Sequence, residues 1–208
     1  IVLALAAIGL NIHFGYTGLL NFGQAGFMAV GAYGVGVSVV TFDLPLWVGI
    51  IIGLLAPVGL AILLGFPTLR LRADYLAIVT IAAAEILRLT FGSVELVDTL
   101  GGSNGLTGFA GPYYELNPFT QSLDLGFMSF TPNALWSVLV GWTLVLICVL
   151  ITWLLMRSPW GRVLRSIRED EDAVRSLGKN VFAYKMQSLI LGGVFGGLAG
   201  IYLSLKQA

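Results

Sequence analysis

Charge is scarce in this sequence. Only 11% of its 208 residues are Asp, Glu, Lys or Arg, against about a quarter in ordinary soluble domains. With 57% of the residues apolar and a mean hydropathy of +0.91, the chain is poorly suited to covering a globule in water. Its 11 basic and 11 acidic side chains cancel to a net charge of +0, which leaves no basic excess to neutralise phosphates and excludes a nucleic-acid partner. The single cysteine, Cys148, excludes an internal disulfide, and with the single histidine, His13, it cannot complete a zinc site. A Walker A loop is also missing: the one Gly-Lys pair, Gly178-Lys179, is followed by Asn180 rather than Ser or Thr. With no cluster of nucleophile, acid and base, the chain does not read as an enzyme, and no cofactor is expected to bind to it.

What is abundant is apolar sequence in long runs. A helix needs about 20 apolar residues to cross a hydrocarbon core about 30 Å thick. Six stretches meet or approach that length: Ile1–Ile12, Gly18–Val40, Leu44–Phe66, Tyr75–Phe91, Ala134–Met156 and Gln187–Leu205. The expected fold is all-α, a polytopic transmembrane helix bundle of about six spans forming one domain over residues 1–208. Ile1 opens in mid-run without Met or a basic flank, and Ala208 follows another apolar run. This reads as a piece of a longer protein, and the first segment does not read as a signal peptide.

Basic loops stay in the cytoplasm. Residues 157–186 hold Arg157, Arg162, Arg165, Arg168, Arg175, Lys179 and Lys185, seven of the eleven basic residues, and are therefore assigned to the cytoplasmic side. Alternating spans then put residues 92–133, with Glu95, Asp98, Glu115 and Asp124 and no Lys or Arg, outside. Arg70 and Arg72 fall inside and Asp43 outside. Only Lys206 is on the unexpected side.

The basic connector has helical punctuation. Ser158-Pro159 offers an N-cap followed by a proline at the first helical position, Ser166 to Glu169 has the form of a capping box, and Gly178 suits a left-handed stop. Val163, Ile167, Val174 and Leu177 recur near helical spacing, with Arg165, Arg168, Glu169, Asp170, Glu171, Asp172 and Arg175 on other faces. A helix resting on anionic lipid would be repelled at its four consecutive acids, so the mixed-sign surface favours docking into a protein groove.

The run from Gly161 to Gly178 resembles the cytoplasmic coupling segment of the branched-chain amino acid ABC transporter permeases. Tyr184-Lys185, the span Gly192–Gly200, the stretch Gly15–Phe27 with Gly31-Ala-Tyr33, Leu69–Thr80 with Glu85 and Arg88, and Gly101–Gly108 resemble the same family. The resemblance implies an importer in the cytoplasmic (inner) membrane of a prokaryote. In it two permease subunits form the path, two ATPase subunits use ATP beneath them, and an external substrate-binding protein delivers the cargo. Arg162, Arg165, Arg168, Glu169, Asp170, Glu171 and Asp172 would then meet the ATPase. The urea-transporting relatives share much of the pattern, so urea or another small solute is an alternative to leucine, isoleucine and valine. An ion-coupled secondary transporter or channel, and a scaffold without a path, are alternatives from other classes.

Glu85 and Arg88 lie on one helical face, with Glu85 about 15 Å from Tyr75 along the axis and so near mid-bilayer. They read either as an internal ion pair that fixes packing or as a pair lining the pathway, where the ammonium and carboxylate of an amino acid would meet them. Asn21 and Gln24, among the glycines of Gly18–Val40, suggest either a broken helix turned toward substrate or close helix packing. Gly192, Gly196 and Gly200, four apart, point to packing, and Pro57 to a kink. The turn-rich external loop with Gly102, Ser103, Asn104, Gly105 and Thr107 either contacts cargo or its carrier, or simply reverses the chain. His13 reads as an interfacial residue, and Trp47, Trp136, Trp153 and Trp160 as an aromatic belt.

Overall fold

Long apolar runs broken by Gly, Pro and short polar turns dictate helices, because in lipid each backbone amide must find its partner within its own segment. The computed structural model describes residues 1–70, 73–102, 105–119, 121–124 and 129–207. Helix α1 (Val2–Asn11) continues as a π-helical turn over Ile12–Thr17. It stops at Gly18, whose left-handed φ of 72° a side chain would resist. Helix α2 (Gln24–Val40) follows, then α3 (Leu46–Thr68) and α4 (Ala73–Phe91). A short 3-10 turn (Val94–Leu96), α5 (Val97–Leu100) and α6 (Gly111–Glu115) lead to a two-residue antiparallel pairing of β1 (Leu123–Asp124) with β2 (Ser129–Phe130). Helix α7 (Pro132–Arg157), α8 (Pro159–Glu169), α9 (Glu171–Ser176) and α10 (Val181–Gln207) complete the chain.

The protein is an all-α, multi-pass membrane bundle, and α1, α2, α3, α4, α7 and α10 fall within or across the six apolar runs. Among the described residues α3, α7 and α10 are long and apolar enough to cross a bilayer by that criterion alone, while the α1 segment and α2 are shorter apolar helices. Helix α10 is the axis of the bundle: 67% of its apolar window is buried, against 22% for α7, whose Trp142, Leu146, Leu150 and Leu154 face outward. It can sit there because its glycines remove side-chain bulk. A methyl group at Gly200 would run into the backbone of Met28, one at Gly197 into Pro57, and one at Gly196 into the Gln24 side chain. The packing reading of Gly192, Gly196 and Gly200 is the observed one.

Two ends finish the bundle differently. At the acidic end Phe109 and Tyr113 pack with Val35, Ile201 and Leu205, and the Trp136 indole donates to the Tyr113 carbonyl at 3.1 Å. At the Arg-rich end α8 starts at Pro159, as the sequence suggests, although the Ser158 hydroxyl turns back to donate to the Leu155 carbonyl at 2.6 Å. The capping box expected at Ser166 does not form. Ser166 lies inside α8 and donates to the Arg162 carbonyl, while the chain breaks at Asp170, whose carboxylate accepts from the Ala173 amide at 3.0 Å. Asp170 is the better cap because its short, charged side chain satisfies an orphan amide beside the positive helix end. Gly178, at φ 76°, ends the pair of helices as expected.

Candidate functional site

The span expected over Gly18–Val40 is interrupted. Residues 18–23 are non-helical, and α2 begins only at Gln24. Bare backbone at membrane depth needs protein partners, and the side chains around this break supply them. The Asn21 carbonyl oxygen accepts from the Gly23 amide at 2.9 Å. Its amide group donates to His13 Nδ1 at 3.0 Å and to Gln24 Oε1 at 3.3 Å. Gln24 Nε2 in turn donates to the Gly192 carbonyl at 3.1 Å, and the Phe22 amide donates to Thr80 Oγ1 at 3.2 Å. Thr17 donates to the Ile12 carbonyl and shares a 2.6 Å bond with Ser188 of α10.

His13 stands at the centre of this network, and the expectation of an interfacial histidine is corrected: it is fully buried. Its position follows from the bonding it makes. Nε2 faces the Leu189 carbonyl at 3.1 Å, which can only accept, and Nδ1 faces an amide that can only donate. Those partners require the neutral tautomer with the proton on Nε2. The π-helical turn carries His13 onto α10, beside Gly192, where any side chain would strike the imidazole. His13, Thr17, Thr80 and Ser188 were not singled out as site residues from sequence. The available signal was their polarity inside otherwise apolar runs.

Glu85 and Arg88 lie elsewhere. Two hydrogen bonds join them, Arg88 Nε to Glu85 Oε2 at 2.9 Å and Arg88 Nη2 to Glu85 Oε1 at 2.6 Å. Both remain open, with 54% and 68% of their side chains exposed. They form one wall of a groove of about 650 Å³ whose other walls are Phe22, Ala25, Ala29, Tyr33, Ile81, Ala84, Phe91 and Gly92. Tyr33 stacks on Phe91 with ring centres 4.0 Å apart. Asn21 and Gln24 are therefore not brought to the ion pair: they turn into the bundle, whereas their neighbours Phe22 and Ala25 line the groove. Tyr33 also borders a second cavity of about 350 Å³ toward the acidic end, with Gly36, Gly105, Leu106, Thr107 and Phe109. Of the expected loop residues, Thr107 and Gly105 line that cavity, Gly102 is buried, and Ser103 and Asn104 lie outside the described residues.

On the Arg-rich connector the charges are largely paired. Arg165 donates to the Met156 carbonyl at 2.8 Å, closing the end of α7, and Arg162 donates to the Arg157 carbonyl at 3.4 Å. Arg168 pairs with Glu169 at 2.6 Å and reaches the Gly15 carbonyl. Glu171 binds both Arg175, at 2.9 Å, and the largely buried ammonium of Lys185; Asp172 binds Arg175 at 3.1 Å. What remains outward is a groove of about 410 Å³ lined by Arg165, Ser166, Glu169, Asp170, Ala173, Val174 and Leu177, with Leu177 79% exposed at its rim.

Membrane helices surround a buried polar break, with a charged groove on their apolar surface and a charge-laced pair of short helices at one end, the build of a polytopic membrane protein with polar groups both inside and on its lipid-depth surface. The family described as branched-chain amino acid transport system / permease component matches residues 1–208, and the chain belongs to that family. It is 33% identical over 211 residues to the high-affinity branched-chain amino acid transport system permease proteins LivM of Salmonella typhimurium and of Escherichia coli, covering 96% of this chain and 49% of each relative. It is 26% identical over 201 residues to the nucleoside ABC transporter permease protein NupC of Lactococcus lactis, covering 88% of this chain and 57% of that one. The chain thus spans about half the length of the curated relatives it matches first. No solved structure matches it. A permease of this kind is a transport subunit and not by itself an enzyme.

Proposed function

We propose that this chain is the membrane-spanning part of a permease subunit in an ABC importer of branched-chain amino acids. It would sit in a prokaryotic cytoplasmic membrane, with the Arg-rich connector in the cytosol. The observation that carries the reading is the open Glu85–Arg88 pair in an otherwise apolar groove. An ion pair facing lipid at mid-bilayer is costly, so such a face belongs against protein or along a polar path. A zwitterion with an aliphatic side chain has the matching chemistry: its ammonium to Glu85, its carboxylate to Arg88, its apolar part against Ala25, Ala29 and Ile81. Because the two residues already satisfy each other, cargo must compete with an existing bond, which keeps its stay short, as transit requires.

The outward groove between α8 and α9, with Leu177 at its rim, supports docking of a separate ATPase subunit that uses ATP. A second permease subunit and an external substrate-binding protein complete the proposed assembly. The family match and the LivM relatives favour amino acids, while the nucleoside permease among the relatives supplies the second reading. A nucleoside would stack on the Tyr33–Phe91 pair and have little use for Glu85.

The test is uptake by the full-length protein with its partner subunits in ATP-loaded vesicles. Glu85→Gln is expected to cut leucine uptake by about tenfold or more while assembly persists, the scale of losing one charge-assisted bond. Unchanged uptake removes Glu85 from the path. Uptake without ATP, by a protein that never copurifies with an ATPase, removes the importer reading.

A further inference from the structure

The Arg-rich connector grips the broken span directly. Helix α1 ends at Thr17 and Gly18, so its last carbonyls have no partner within the helix, and a helix end of that polarity attracts a cation. The guanidinium of Arg168, near the end of α8, fills that role by donating to the Gly15 carbonyl. Its aliphatic stem lies on Gly18: a methyl group there would sit 2.9 Å from Arg168 Cγ. Five residues further on, beyond a segment with no helical bonds of its own, Gly23 abuts the Thr80 carbonyl of α4 and Phe22 forms part of the wall facing Glu85 and Arg88.

We propose that Arg168 is the positioning residue that transmits movement of the cytoplasmic helices to the transport groove, by carrying the end of α1 and the segment 18–23, and with it Phe22, along with α8. This rests on the reading of α8 and α9 as the ATPase docking surface. The physical warrant is continuity: Arg168 of α8 holds the end of α1, the 18–23 segment begins at that end and finishes against Thr80 of α4, and α10 steadies the same end of α1 through Ser188 and the Leu189 carbonyl. Arg165, three residues earlier in α8, is bound to the end of α7 instead, so α8 holds two spans by two arginines and only the Arg168 contact leads to the groove.

The experiment uses the full-length permease with its partner subunits in vesicles and compares Arg168→Ala with Arg168→Lys, which keeps the charge and the reach to the carbonyl. The first readout is substrate moved per ATP hydrolysed, a ratio insensitive to how much protein folds. It is expected to fall by about three- to thirtyfold in Arg168→Ala, and to recover in Arg168→Lys. The second readout needs no ATPase. A thiol placed at Phe22→Cys is labelled in the otherwise wild-type chain and in the Arg168→Ala background, with buried Cys148 giving little signal from this region. Its labelling rate is expected to shift severalfold with Arg168→Ala and to return with Arg168→Lys. An unchanged ratio, an unchanged rate at position 22, or no rescue by lysine overturns the proposal. Failure of the wild type to associate with an ATPase sinks the importer reading instead, and the labelling arm still decides whether Arg168 controls the groove.

Discussion

Gly200 leaves no room for even one methyl group, because the atoms it meets are backbone atoms of Met28 that cannot rotate away. Gly200→Ala is expected to force α10 off α2 and cost about 1–3 kcal/mol, read as a lower midpoint in thermal unfolding of the detergent-solubilised protein. Gly59, whose added methyl group meets nothing within 4 Å, is the matched control and should tolerate alanine. His13 makes the second residue-scale case. Replacing it with phenylalanine keeps a ring but takes the acceptor from Asn21 and the donor from the Leu189 carbonyl. The expected loss is about 1–3 kcal/mol per group left unpaired, in the same unfolding assay. A His13→Phe protein as stable as the wild type would mean that the network around the break does not hold it.

At the scale of elements, α9 has only six residues and cannot persist on its own propensity. It is held by the Asp170 cap at its start, by Glu171 clasping Arg175 and Lys185, and by Val174 packed with Ile167 and Val181. Asp170→Ala should cost about 1 kcal/mol. Glu171→Gln should cost about 1–2 kcal/mol, a value reduced from that of a fully buried pair because Glu171 is 34% exposed. Both are expected as faster amide hydrogen exchange confined to residues 170–178, with α7 and α10 unchanged. Exchange that rises across the whole bundle would mean that the two short helices are not a separate local unit. The start of α8 was legible because Ser-Pro is a strong local signal. The break at Asp170 was not, because the local pattern points to a cap at Ser166, whereas the helix that Asp170 caps is held by Glu171 reaching Lys185, a contact fourteen residues away.

At the scale of the whole molecule, the two ends are chemically unlike, and this sets a sidedness that can be measured. In intact cells, a thiol at Ser176→Cys is expected to resist a membrane-impermeant reagent and one at Glu115→Cys to react; the reverse pattern would invert the proposed orientation. The site was partly legible at this scale as well. Glu85 and Arg88 stand out as charges in an apolar run, and they form one pair on one face. Asn21 and Gln24 stand out for the same reason, but they serve the bundle interior, bonded to His13 and the Gly192 carbonyl, while their neighbours Phe22 and Ala25 face the groove.

The sequence alone determined that the chain belongs in a membrane, where its apolar helices lie and which connector is basic. Each of these follows from local quantities: run length against bilayer thickness, the position of prolines and glycines, and the count of arginines between runs. Only the tertiary structure decided that α10 is the buried axis, that His13 is interior, and that Arg168 meets the end of α1. Those facts depend on which helices come together, and residues 150 or more positions apart acquire a distance only when the bundle packs.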